Sequence, residues 1–241
     1  MTWRLVDSDL LAPAMASAVD EAILQARKDG EVPDTFHLYR RDAPTVSLGY
    51  FEKVAERVDL DAAREHHVAL VRRMSGGGVI YTDPEQIIYT AVVGQASVPE
   101  SPQETFRVLC QGIIDGLGKL GVEAHFRPVN DVLVGGRKIS GSAQMRRHGV
   151  VLQHGTLMVR TDYERMFTVL RGKRPRDGMT SLAEEMAEVP AMDTVKNALV
   201  QGFSSALGIE MADGKLSEKE RDEADRLVRT TYGREEHTFR Y

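Results

Sequence analysis

The chain has 241 residues, 42% of them hydrophobic, with a net charge of −5 and one cysteine. The length suffices for one large domain with a substantial core. The acidic balance argues against binding a nucleic-acid backbone, and a single thiol excludes an internal disulfide framework and fits a reducing compartment. There is no N-terminal apolar run of signal-peptide length and no membrane-spanning stretch, so the expectation is a cytoplasmic protein with no nucleic-acid or membrane partner.

Residues 11–29 read as the first helix. Pro13 suits its first turn, Gly30 its C′ position, and Met15, Ala18, Val19, Ala22, Ile23 and Ala26 form an apolar stripe. Short strands are predicted at 36–39 and 45–48, after which Gly49 opens a loop. The charged stretch 54–66 reads as a surface helix, and His66-His67 as its end rather than a metal site, since no further ligands accompany the pair. Residues 68–71 and 79–81 read as two strands, and Arg72-Arg73-Met74-Ser75-Gly76-Gly77-Gly78 joins them in a hairpin. Three glycines weaken the flanking strands. They make sense where a ligand approaches bare N–H groups, which form an anion-binding concavity beside a guanidinium clamp. The alternative is a flexible loop with two solvated arginines.

Residues 87–93 are dense in β-branched side chains and read as an interior strand. Ser101-Pro102-Gln103-Glu104 is a capping box, and the helix it opens carries Phe106, Leu109, Cys110, Ile113, Ile114, Leu117 and Leu120 on one face. Cys110 reads as a buried structural thiol, because a nucleophile needs an open, electropositive setting. Strands follow at 122–126, 131–134, 137–145 and 150–159, and helices at 162–170, 193–207 and 217–230, the last with a capping box of Ser217 and Glu220. The basic run from Arg171 to Arg176 is a solvated loop or a segment that closes over an acidic group. Strands in the middle and helices on either side predict one α+β domain over 1–241.

A second constellation stands out. Asn130-Asp131 precedes one strand, and Lys138, Ser140 and Ser142 alternate along the next, so they should share a face with room for a ligand beside Gly141. Gln153-His154-Gly155-Thr156 interrupts another apolar strand with small residues, a sign of close approach by a ligand or backbone. Taken singly, each is a glycine bulge with an exposed side chain; together they suggest one shared pocket.

These stretches resemble the lipoate–protein ligase family, within the group that includes biotin ligases and octanoyltransferases. The resemblance rests on residues 15–21, Ser47-Leu-Gly49-Tyr-Phe51, Arg72 to Tyr81, Asn130-Asp131, residues 136–143 and His154-Gly155-Thr156. It implies a mixed, largely antiparallel sheet with flanking helices, related to class II synthetases, and a catalytic domain lacking the C-terminal accessory domain of single-chain ligases. It also implies an enzyme that activates lipoate or octanoate with ATP and Mg²⁺ and passes it to a lysine of a lipoyl-domain acceptor, with a separate accessory protein. Arg72 and Ser75, Gly76, Gly77 and Gly78 would hold the acyl-adenylate, with Tyr81 in the binding set. Lys138 would contact carboxyl and α-phosphate. Asn130 and Asp131 would hold the nucleotide side, Asp131 as a magnesium contact. Ser140, Gly141, Ser142, Ala143, His154, Gly155 and Thr156 would line the acyl and adenine pockets. An adenylate needs no enzyme nucleophile. Octanoyltransferases of this fold carry a cysteine, one type where this chain has Ala124-His125-Phe126 and another after the His-Gly strand, where residues 158–176 have none. That absence, with the triple-glycine loop, favours a ligase; an ATP-independent acyltransferase and a non-catalytic lipoate-binding protein are the alternatives. Thr82 stands where the family often has histidine.

Overall fold

The computed structural model describes residues 1–172 and 176–241; the middle of the basic run, 173–175, lies outside the described residues. The chain opens with β1 (Thr2–Leu11), α1 (Pro13–Lys28), β2 (Thr35–Arg41), β3 (Thr45–Leu48), α2 (Val54–Arg57) and α3 (Leu60–Glu65). It continues with β4 (Ala69–Arg72), β5 (Ile80–Thr82), β6 (Gln86–Gly94), α4 (Pro102–Lys119), β7 (His125–Arg127), β8 (Asp131–Val134), β9 (Arg137–Arg147) and β10 (Val150–Met158). The last elements are α5 (Tyr163–Val169), α6 (Leu182–Glu185), α7 (Met192–Leu207), β11 (Glu210–Asp213), α8 (Glu218–Leu227) and α9 (Glu235–Thr238).

Eight strands form one sheet in the order β11-β1-β2-β6-β10-β9-β8-β7, and β4-β3-β5 form a second. In the large sheet only β1 pairs in parallel, with β2 and β11, so the expected mixed, largely antiparallel α+β architecture is present. The β-branched run becomes β6, whose first eight residues are all buried because both faces of the sheet are covered. Helices α4 and α7 cover one face, packing Leu109, Ile113, Leu117 and Phe203 against Phe36 and Tyr89. Helix α1 covers the other, with Ala18, Val19, Ala22 and Ile23 against Val92, Leu152 and residues of α8.

Several expectations change. Strands β4 and β5 do not pair with each other, because β3 lies between them, parallel to β4 and antiparallel to β5. The arginine–glycine stretch is therefore a crossing loop, not a hairpin. The surface helix breaks in two: Val58 turns inward to bridge Leu170, and Asp59 caps α3 with its side chain. His66 is the C-cap of α3, as a helix end should be. Strands β1 and β11 carried too little alternation to be predicted; β1 has Asp7, Ser8 and Asp9 in its middle, and a register irregularity falls there. No helix among the described residues is long and apolar enough to cross a membrane.

Helices α4 and α7 meet through glycine. A Cβ at Gly202 would overlap the Gly112 carbonyl and the Gly116 backbone, so no side chain fits. Replacing Gly202 with alanine should force the helices apart and lower stability by about 1–3 kcal/mol, the usual cost of overpacking, read as a lower urea midpoint at unchanged slope.

Candidate active site

A cavity of about 440 Å³ lies between the glycine loop and strands β9 and β10. Met74, Val79, Ile80, Ile88 and Met158 give it apolar walls, and Lys138, Arg127, Asp131 and Asn130 form a polar group in which the two cations flank one carboxylate. The volume suits a small ligand.

Lys138 owes its place to a bulge. Val132 pairs with Ser140 and Leu133 with Lys138, so Ile139 is skipped and turns into the core. The predicted alternation therefore fails. Lys138 shares its side with Gly141, where a Cβ would overlap the Lys138 ammonium, and not with Ser140 and Ser142. Lys138 Nζ lies 2.5 Å from Asp131 Oδ1, and Arg127 Nη2 lies 2.7 Å from Asp131 Oδ2. Both carboxylate oxygens face cations, so Asp131 orients the lysine between itself and the cavity. Asn130 lines the cavity, and its Nδ2 donates to the Ser142 carbonyl at 2.5 Å, which holds β9 in place. Ser140 is fully buried and does not line the cavity, contrary to expectation. Ser142 does, and its Oγ also meets Tyr89 Oη at 2.6 Å and Cys110 Sγ at 3.6 Å. Cys110 is fully buried, and burial pushes its thiol up to about 11, so it stays protonated in the core as expected.

The two adjacent arginines have different tasks. Arg72 is fully buried, and its guanidinium donates to the carbonyls of Gly49, Tyr50, Glu52, His237 and Thr238 at 2.7–3.2 Å. It does not line the cavity; it staples the loop after β3 to the C-terminal segment, and the expected role in holding substrate is withdrawn. Arg73 reaches the glycine loop instead. Its Nη2 donates to the Gly76 and Gly78 carbonyls, both at 2.8 Å, its Nη1 to the Ser47 carbonyl at 2.9 Å and its Nε to Ser75 Oγ at 3.0 Å. Burial brings this guanidinium down to about 10, so it remains charged at neutral pH. Gly77 lies beside the cavity with φ +86, where a Cβ would crowd Arg73, and Gly49 packs so closely on the Gly77 carbonyl that it too must lack a side chain.

At the wall of the cavity sits a buried carboxylate that periodicity alone did not mark as functional. Asp20 of α1 accepts from His37 Nδ1 (3.0 Å), Thr90 Oγ1 (2.9 Å) and Tyr39 Oη (3.2 Å), and lies 3.4 Å from His154 Nδ1. On its far side His154 Nε2 is 2.6 Å from Ser75 Oγ. Burial by itself would raise the Asp20 carboxyl, but hydrogen bonds from His154 and His37 outweigh it and hold it well below the usual range. Burial lowers His154, and Asp20 offsets this only in part. The signals for Asp20 were a charge inside the apolar stripe of α1 and its place in the 15–21 stretch that carries the family resemblance.

Of the remaining expected residues, Gly77, Gly78, Tyr81, Gly141, Ser142, Ala143, His154, Gly155 and Thr156 line the cavity, while Ser75 is buried behind it and Gly76 is held by Arg73. Arg73, Arg127, Ser47 and Asp20 also line it and were not among the expected residues.

The Lipoyl protein ligase A/B catalytic domain family model matches residues 12–204. The chain is 37% identical to Octanoyltransferase LipM of Kyrpidia tusciae, covering 94% of this chain and 95% of that one. It is 28% identical to the Bacillus subtilis protein of the same name, covering 99% and 98%. It also superposes on a solved chain of the bi-partite lipoate protein ligase and E2 lipoyl domain system of Thermoplasma acidophilum, with a TM-score of 0.90 and 29% identity over 99% of this chain and 96% of that one. The named relatives overturn the expectation of an AMP-forming ligase dependent on ATP and Mg²⁺. A transferase moves an octanoyl group that is already activated, which leaves adenylation no part.

Two measurements check the site's architecture. A lysine cannot span the five carbonyls that Arg72 joins, so Arg72→Lys should cost about 1–3 kcal/mol in denaturant unfolding. Asp20 favours the folded state through its ionised form; its contribution is complete above the unfolded pKa of about 3.9 and is lost as pH falls from there toward the depressed folded value. The stability gap between the wild type and Asp20→Asn should therefore be wide at about pH 6 and narrow toward about pH 3.

Proposed function

The chain belongs to the lipoyl protein ligase A/B catalytic-domain family, and from that premise we propose that it is an ATP-independent octanoyltransferase. It moves an octanoyl group from a thioester donor to the lysine of a lipoyl-domain acceptor. The observation that carries the reading is the identity to octanoyltransferases across 94–99% of the chain. The cavity supports it: its apolar walls suit an eight-carbon chain, whose burial contributes about 5 kcal/mol at about 0.8 kcal/mol per methylene. We read 1–241 as one catalytic domain working in the cytoplasm. The accessory subunit belonged to the adenylation expectation, and transfer from a thioester does not require one.

The acyl group passes directly from donor to acceptor. The chain's single thiol is Cys110, protonated within the core, and the stretch Ala124-His125-Phe126, where one transferase type carries its cysteine, has none. The acceptor amine attacks the thioester carbonyl, the C–N bond forms, the C–S bond breaks, and the amine proton ends on the departing thiolate. As the carbonyl oxygen gains charge, the Lys138 ammonium, aimed by Asp131, stabilises it. A unit charge about 4 Å away is worth about 4 kcal/mol at an effective dielectric near 20.

Intact-mass analysis of a lipoyl-domain acceptor tests the reading. Octanoyl thioester without ATP should add one octanoyl group, Cys110→Ser should retain the rate, and Lys138→Ala should lose about 10²–10³ in kcat. Product formed only from free octanoate and ATP would overturn it.

A further inference from the structure

The geometry points to a role for Ser75, His154 and Asp20 that the transfer reading does not use: we propose that they form a relay of positioning residues that holds the glycine loop with the Gly77 N–H set as a second donor to the developing oxyanion. The proposal rests on the octanoyl-transfer reading for its kinetic part only.

Three observations carry it. The first is the chain of contacts. Asp20 Oδ2, His154 Nδ1, His154 Nε2 and Ser75 Oγ follow one another at 3.4 Å and 2.6 Å, the order of groups in a serine–histidine–aspartate array. Ser75 is fully buried behind the cavity, so in this arrangement its hydroxyl orients the loop and is not a nucleophile. The second is the polarity of the array. The ionised Asp20 accepts only, which places the imidazole proton on Nδ1 and leaves Nε2 to accept the Ser75 hydroxyl. Ser75 Oγ then accepts from Arg73 Nε at 3.0 Å with its remaining lone pair. The third is the loop itself. Arg73 holds the Gly76 carbonyl, and because the peptide is planar and trans, the Gly77 N–H of the same unit points away from Arg73. Gly77 lines the cavity opposite Ala143, two residues along β9 from Gly141, where Lys138 lies. Anchoring Ser75, one residue before Gly76, fixes that peptide where three glycines in succession would otherwise leave it free.

The groups facing His154 come from four elements: Asp20 of α1, His37 and Tyr39 of β2 through the shared carboxylate with Arg41 at the end of the same strand, Thr90 of β6, and Arg73 with Ser75 of the loop. Burial above all, and to a lesser degree the two arginines, oppose protonation of His154; Asp20 favours it but offsets burial only in part. The neutral imidazole is thus the working form, and acid should disarm the relay.

Two readouts on the full chain test this. Nitrogen chemical shifts of the His154 ring at about pH 8 should show the proton on Nδ1 in the wild type and a shift of the proton toward Nε2 in Asp20→Asn. In octanoyl transfer to the lipoyl-domain lysine, Ser75→Ala and Asp20→Asn should each lower kcat by about 10²–10³, the loss typical of one oxyanion donor, with KM for the thioester within about threefold. The double variant should be no slower than the slower single one, because the residues act as one unit. The acid limb of kcat should move to lower pH in Asp20→Asn, since removing the carboxylate makes His154 harder to protonate. A wild-type proton on Nε2, losses that multiply in the double variant, an acid limb that stays in place, or a Ser75→Ala enzyme within about threefold of wild type would each overturn the relay. If Asp20→Asn does not fold, Ser75→Ala and the wild-type tautomer still decide. If the wild type transfers no octanoyl group, the functional reading falls, and the tautomer still decides whether the array exists.

Discussion

A single buried carboxylate ties the cavity to the scaffold. Asp20 on α1 binds β2 through His37 and Tyr39, β6 through Thr90 and β10 through His154. A charge removed from water is tolerable only when donors surround it. Four donors do so here, and each comes from a side chain that must hold its rotamer. The result is a rigid junction where helix, sheet and glycine loop meet, and the cavity inherits that rigidity on one wall.

The glycine loop shows how the chain divides labour between neighbouring residues. Arg72 and Arg73 are adjacent and chemically identical, yet one secures the C-terminal segment and the other clasps the loop. The guanidinium of Arg72 spends its donors on backbone carbonyls, and that of Arg73 on backbone carbonyls and the Ser75 hydroxyl, rather than on an anion. A further positive group beside the cavity is organised by Asp131, with Lys138 and Arg127 on either oxygen. The charge paired with Asp131 and the charge that holds the backbone are thus separated, and the glycine triplet is held at both ends by Arg73.

The absence of a usable thiol gives the cavity its chemical character. Cys110 packs under β9 against Ser142, where burial keeps it protonated. A family member built this way can still move an acyl group, provided the group arrives activated and the oxyanion is met by fixed donors. Lys138 and the glycine loop both line that cavity.

Much of this protein was legible along the chain. Helical stripes, the β-branched run of β6, the Ser217–Glu220 capping box and the two glycine-interrupted stretches that meet at the cavity all follow from local spacing, since each is set by residues a few positions apart. The order of strands was not legible: β3 inserts between β4 and β5 through pairing that no local pattern encodes. Nor was the side on which Lys138 falls, because one bulged residue, Ile139, reverses the alternation. The choice between Arg72 and Arg73 turned on the same one-residue parity. Asp20 needed partners up to 134 positions away before its charge could be understood as the centre of a network rather than a break in an apolar stripe. Local periodicity decides which segments become helices and strands; only packing, by bringing distant donors onto one carboxylate, decides which side chains make the site.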